Sequence, residues 1–234
     1  MKAIMKRDLL GFFSSPIGYV IIAAFLFLAN FFFYQDNILT LSSSLSYVFS
    51  DITLILCFTI PLVTMRLLSE ERKQKTDQML MTAPIRTVDI VLGKFLAAYI
   101  VFVIIFLGTL VWPLIVSMFG VPTVGEIIGN YLAMMLLVGS LISVGLLISS
   151  ITENQIVSAI LSFVCILGMY YFGSIASIVD NPLVSTVLNW LSVFSRYQNF
   201  TNGIFSLADV CYYVSFTVIF LFLTTRVIEK RRWA

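Results

Sequence analysis

Six stretches of this chain stay apolar for about 20 residues at a time, the length of helix that crosses a hydrocarbon layer of about 30 Å. They are read at residues 16–34, 47–65, 95–119, 127–149, 156–178 and 207–225. Hydrocarbon offers no water to the backbone, so each stretch must satisfy its own N–H and C=O groups, which a single segment does as a helix. Pro61 and Pro113 fall inside two of the stretches, and kinks are expected there. With 60% hydrophobic residues, 11% charged and a mean hydropathy of +1.02, no polar stretch is long enough to bury a second core. The expectation is one all-α integral membrane domain over residues 1–234, with six transmembrane helices.

The basic residues give that bundle an orientation. Lys2, Lys6 and Arg7 precede the first stretch, and Arg66, Arg72, Lys73, Lys75, Arg86 and Lys94 lie between the second and third. Arg226, Lys230, Arg231 and Arg232 follow the last, which leaves only Arg196 on the other side. The positive-inside rule therefore predicts that both termini and residues 66–94 are cytoplasmic, with residues 35–46, 120–126 and 179–206 outside. Met1, Met5, Leu9, Phe12 and Phe13 recur at helical spacing, while Lys2, Lys6 and Arg7 share another face, so residues 1–14 read as an interfacial amphipathic helix. The first apolar stretch is too long for a signal-peptide core and is expected to stay attached.

Several chemistries are disfavoured by what the sequence does not contain. It has no histidine, and Cys57, Cys165 and Cys211 are scattered through apolar runs, so neither a metal site nor a disulfide framework is indicated. Asp51 and Asp209 are the only ionisable residues read inside the apolar stretches, both near the outer ends, where an ion-driven carrier would be expected to keep a deeper carboxylate. Gly93-Lys94 is not a phosphate cradle, because Val88 replaces the first glycine and Phe95 the magnesium-binding hydroxyl. The chain is thus read as no enzyme, with no catalytic residue and no cofactor of its own. Any ATP and magnesium would belong to another polypeptide.

The charged segment "RLLSEERKQKTDQMLMTAPIRTVDIVLGK", residues 66–94, is far longer than an inert link between membrane helices needs to be. Ser69 reads as the cap of a helix with Glu70 and Glu71 in its first turn, Glu71 in water and spaced to pair with Lys75. Pro84 ends that helix and Thr87 caps the next. Spacing alone fits a docking surface and a solvated charged hairpin equally.

"SEERKQKTDQMLMTAPIRTVDIVLGKF" resembles the cytoplasmic signature of type-2 ATP-binding-cassette (ABC-2) permeases. "KRDLLGFFSSPIGYV" and "FSRYQNFTNGIFSLADVCYYVSF" are similar to the opening and the last-span approach of the small gliding-motility-associated group. The resemblance implies that Glu70, Glu71, Thr76, Pro84, Gly93 and Lys94 belong to a coupling segment gripping a separate cytoplasmic ATPase subunit. Lys75 stands where the family usually has glycine, which favours an unbroken helix over a tight turn. Further implications are a pair of permease chains, the same or related, an exporter in the bacterial inner membrane, and re-entrant helices within residues 179–206 that break near residues 196–202.

In that outer segment Leu183, Val187, Leu188, Trp190, Leu191 and Phe194 recur at near-helical spacing. Trp190, Phe194 and Arg196 are candidates for an extracellular gate or substrate contact, with Arg196 either meeting an anionic group or snorkelling. Gly139, Ser143, Gly145 and Ser149 have the small-xxx-small spacing of close helix contact, within the chain or between chains. "EERKQK" approaches an intramembrane-protease pattern, but Lys75 replaces its arginine and histidine is missing. A passive channel or a membrane-anchoring structural subunit is the alternative reading.

Overall fold

The structure, a computed structural model, describes residues 1–73, 85–121, 123–179, 181–201 and 206–232. Its helices are α1 (Lys2–Ser14), α2 (Pro16–Phe33, prolonged by a π-helical turn Tyr34–Ile38), α3 (Ser46–Lys73), α4 (Thr87–Gly108) and α5 (Val111–Val116). They continue with α6 (Val124–Ile151), α7 (Gln155–Ile178), α8 (Pro182–Leu191), α9 (Val193–Thr201) and α10 (Leu207–Arg232). Among the described residues, six helical segments are long and apolar enough to cross a membrane: Pro16–Ile38, Ser46–Lys73, Thr87–Val116, Val124–Ile151, Gln155–Ile178 and Leu207–Arg231. Each overlaps one of the expected stretches. Lys75, Thr76 and Pro84, together with the helix end and the turn expected around them, lie outside the described residues.

The second, third and fourth spans form the core, with 67, 56 and 72% of their apolar windows buried, against 28, 17 and 22% for the first, fifth and sixth. Close approach at that core depends on small residues. A Cβ on Gly145 would lie 2.4 Å from Thr64 Oγ1 on α3, and one on Gly139 would lie 3.5 Å from the Tyr99 ring on α4. Ser149 Oγ accepts the Leu68 and Ser69 N–H groups at 3.3 and 3.1 Å. These small residues of α6 therefore serve packing within the chain.

The start of α1, the ends of α3 and α10 and the start of α4 gather at one end of the bundle, the basic end, where Lys94 meets Asp8 and Arg231 donates to the Ile151 carbonyl. Here α3 corrects the reading of Ser69 as a cap. The helix runs unbroken past its apolar stretch to Lys73, because residues 66–73 contain no glycine or proline and Arg66 and Glu70 pair at i, i+4, 3.6 Å apart. Ser69 is fully buried inside it, its hydroxyl donating to the Met65 carbonyl. Thr87 likewise opens α4 as its first helical residue, the cap position being Arg86.

Of the two expected kinks, Pro113 gives a full break and Pro61 leaves α3 a single helix. Pro113 has no N–H, so the Thr109 carbonyl one turn earlier loses its helical partner. The Tyr131 hydroxyl and the Trp112 N–H serve that carbonyl instead, at 2.8 and 3.0 Å. Trp112 is itself held by Asn30 Oδ1 at 2.8 Å and stacks on Phe33 with ring centroids 5.2 Å apart.

The two short helices before the last span also exist, but their break falls at Ser192, upstream of residues 196–202. Ser192 Oγ accepts the Ser195 N–H at 3.2 Å and so caps α9, as the Asn181 side chain caps α8 through the Leu183 N–H at 3.0 Å. With its start fixed there, α9 carries Arg196 on through to Thr201.

The core contact makes a prediction. Gly145→Ala forces α3 and α6 apart and is expected to destabilise the chain by about 1–3 kcal/mol, whereas Gly168→Ala, where a Cβ meets nothing within 4 Å, is expected to be neutral or slightly stabilising. Thermal unfolding of the two variants in the same detergent measures the difference.

Candidate functional site

The charged residues at the basic end converge on one ammonium group. The Lys94 side chain is 1% exposed, although it stands only two turns into a membrane-length helix. Its Nζ lies 3.0 Å from Asp8 Oδ2 on α1, 2.8 Å from Glu71 Oε2 on α3 and 2.6 Å from the Leu67 carbonyl. An ammonium has three N–H donors, and three acceptors are present. That match is what makes so costly a burial tolerable.

Arg7 closes the network from the water side by donating to Asp8 at 2.7 Å and to Glu71. Burial alone would pull the Arg7 guanidinium down from its ordinary value, and the Asp8 and Glu71 carboxylates more than offset this, so its pKa is raised. Gly93, beside Lys94, lets α1 come close: a Cβ there would sit 3.2 Å from the Ile4 side chain and from the Met1 carbonyl. The neighbouring glycine and lysine thus act together, one admitting α1 and the other binding it.

Of the candidate residues at this end, Glu70, Glu71, Gly93 and Lys94 are brought together where the chain leaves α3 and re-enters at α4; Thr76 and Pro84 lie outside the described residues. The expectation that Glu71 lies in water is corrected. Its side chain is 17% exposed and turned onto Lys94 and Arg7, because a buried ammonium draws the nearest carboxylates to itself. Sequence reading missed Arg7 and Asp8 as partners. A signal was present, since Asp8 is the one acid ahead of Asp36 and interrupts an otherwise basic helix.

At the opposite end, Trp190 and Arg196 meet across one tyrosine. The Tyr212 hydroxyl donates to the Trp190 carbonyl at 2.9 Å, and the Arg196 guanidinium lies 4.0 Å above the Tyr212 ring. Arg196 also pairs with Asp209 at 3.1 Å, so its charge has a partner inside the chain. Phe194 is buried edge-on against Tyr170, with ring centroids 5.0 Å apart. A second network stands beside these residues. Ser46 Oγ bonds Glu126 at 2.7 Å and the Thr201 carbonyl at 3.1 Å, and Tyr197 donates to Asn130 at 3.2 Å, which ties α9 to the starts of α3 and α6.

A family model described as ABC-2 family transporter protein matches residues 29–231 of the chain. No curated protein matches it at a significant level.

Removing the Lys94 charge leaves the half-buried Asp8 and Glu71 carboxylates without the ammonium they share. Lys94→Met is expected to cost about 3–5 kcal/mol and to free α1. A cysteine placed at Ile4, 6% exposed in the intact protein, should then react with a water-soluble maleimide many times faster than in the Lys94 background.

Proposed function

Since this chain belongs to the ABC-2 family of transporter proteins, as a membrane permease subunit of an ATP-binding-cassette transporter, we propose that it moves its substrate outward on ATP hydrolysed by a separate ATPase. The chain is a multi-pass membrane protein, and family membership implies association with an ATP-binding-cassette ATPase. In this reading the basic end faces the cytoplasm of a bacterium and the bundle sits in its inner membrane. Two permease chains, the same or related, face one another, and ATP and magnesium are held by the partner subunits. Within the family, the opening "KRDLLGFFSSPIGYV" favours the gliding-motility-associated group.

One observation carries the mechanism. The segment that contains Glu70, Glu71, Thr76, Pro84, Gly93 and Lys94 leaves from α3 and returns into α4, and the Lys94 network binds both helices to α1 at those points. A partner that grips residues 74–84 pulls on two core spans together, because α3 has no break between its basic end and Ser46. Helices on the perimeter could not carry such a pull into the core. Trp190, Phe194 and Arg196 then stand at the far end of the same bundle, as a gate on the exit side.

Replacing residues 74–84 with a glycine-serine linker of equal length is expected to abolish co-purification with the cognate ATPase and its stimulated hydrolysis, while all six spans still insert. Undiminished recovery of the ATPase, or labelling of a cysteine at Gln74 from outside intact cells, would count against this reading and leave the passive channel or anchoring subunit.

A further inference from the structure

A cleft of about 430 Å³ opens between α1, α3 and α4 at the basic end. Arg7, Arg66 and Lys94 line it beside Asp8, Glu70 and Glu71, so the formal charges of its described lining residues cancel. Below this charged layer the wall turns apolar, with Phe12 on α1, Val63 on α3, and Ala97 and Val101 on α4. Charge above and hydrocarbon below is the profile of one leaflet, from headgroup to the top of the chains.

The cations are unequally committed. The three donors of Lys94 are matched by Asp8, Glu71 and the Leu67 carbonyl, and Arg7 is turned to Asp8 and Glu71. Arg66 is held more loosely, with Ser15 Oγ at 3.3 Å and Glu70 at 3.6 Å, the second too long for a strong hydrogen bond. Five N–H donors on a planar fork, so loosely held, suit a phosphate. Glu70, on the next turn, offers a carboxylate beside that phosphate position.

We propose that the cleft holds the headgroup of a phosphatidylethanolamine from the bordering leaflet, phosphate on Arg66 and ammonium toward Glu70, with one acyl chain starting along Val63, Ala97 and Val101. A zwitterion leaves the cancelled charge of the cleft unchanged, whereas an anionic lipid would bring a net negative charge beside three carboxylates. A choline headgroup has no N–H for Glu70. The bound lipid fills the space between α1 and the core spans and so helps fix the interfacial helix.

The test uses the full-length chain, purified in detergent and stripped of lipid, titrated separately with dioleoyl phosphatidylethanolamine, dioleoyl phosphatidylglycerol and soluble phosphoethanolamine, with occupancy counted by native mass spectrometry. Phosphatidylethanolamine should bind at least about tenfold more tightly than phosphatidylglycerol, and phosphoethanolamine should not be retained. Arg66→Gln should weaken that binding about tenfold through the lost charge-assisted bonds. Gly11 lines the cleft, and a Cβ there meets nothing within 4 Å, so Gly11→Phe can enter it without altering a charge and should block the lipid. Equal binding of the two lipids, retention of phosphoethanolamine as tight as that of the lipid, or unchanged lipid binding by the Gly11→Phe variant would overturn the assignment.

Discussion

The ammonium of Lys94 constrains the rest of this bundle. A charge so nearly sealed from water must find acceptors, and the three it finds come from α1 and α3 while it stands on α4 itself. Three consequences follow from this one need. The register of α1 is set by placing Asp8 opposite Lys94, α3 must run beyond its apolar stretch far enough to deliver Glu71, and Gly93 must stay small for α1 to come near. Helix α1 is thereby bound into the bundle by its own charged side chains.

The opposite half of the bundle is governed by the backbone. Where Pro113 removes an N–H from the third span, the freed Thr109 carbonyl is taken up by Tyr131 from α6, and Trp112 turns to Asn30 and Phe33 on α2. The break therefore adds contacts to two neighbouring spans. Ser192 works at smaller scale, stopping one short helix and capping the next, so that Arg196 and Tyr197 reach Asp209 and Asn130.

Spans, their approximate ends and the basic asymmetry were legible in the sequence because hydropathy over about 20 residues is a strong signal and charge placement an independent one. The pairing of Lys94 was not legible. It joins residues 86 positions apart, and in a one-dimensional reading Glu71 is simply a charge in a charged segment. The Ser69 misreading has the same root, since a serine before two glutamates has the local look of a cap whether or not a membrane helix runs straight through it. Gly145 and Ser149 were recognised as contact-forming residues, but only the fold says that they meet Thr64 and the α3 backbone rather than a second chain.

The close contact of Thr64 with Gly145 gives α3 a fulcrum. At a rise of about 1.5 Å per residue, the helix extends about 14 Å from Thr64 to its basic end at Lys73 and about 27 Å to its other end at Ser46. Treated as a rigid lever, it doubles any sideways displacement applied at Lys73 and reverses its sense at Ser46. There Ser46 is hydrogen-bonded to Glu126 and to the end of α9, so a shift of the basic end would become a larger, opposite shift where α3, α6 and α9 are joined.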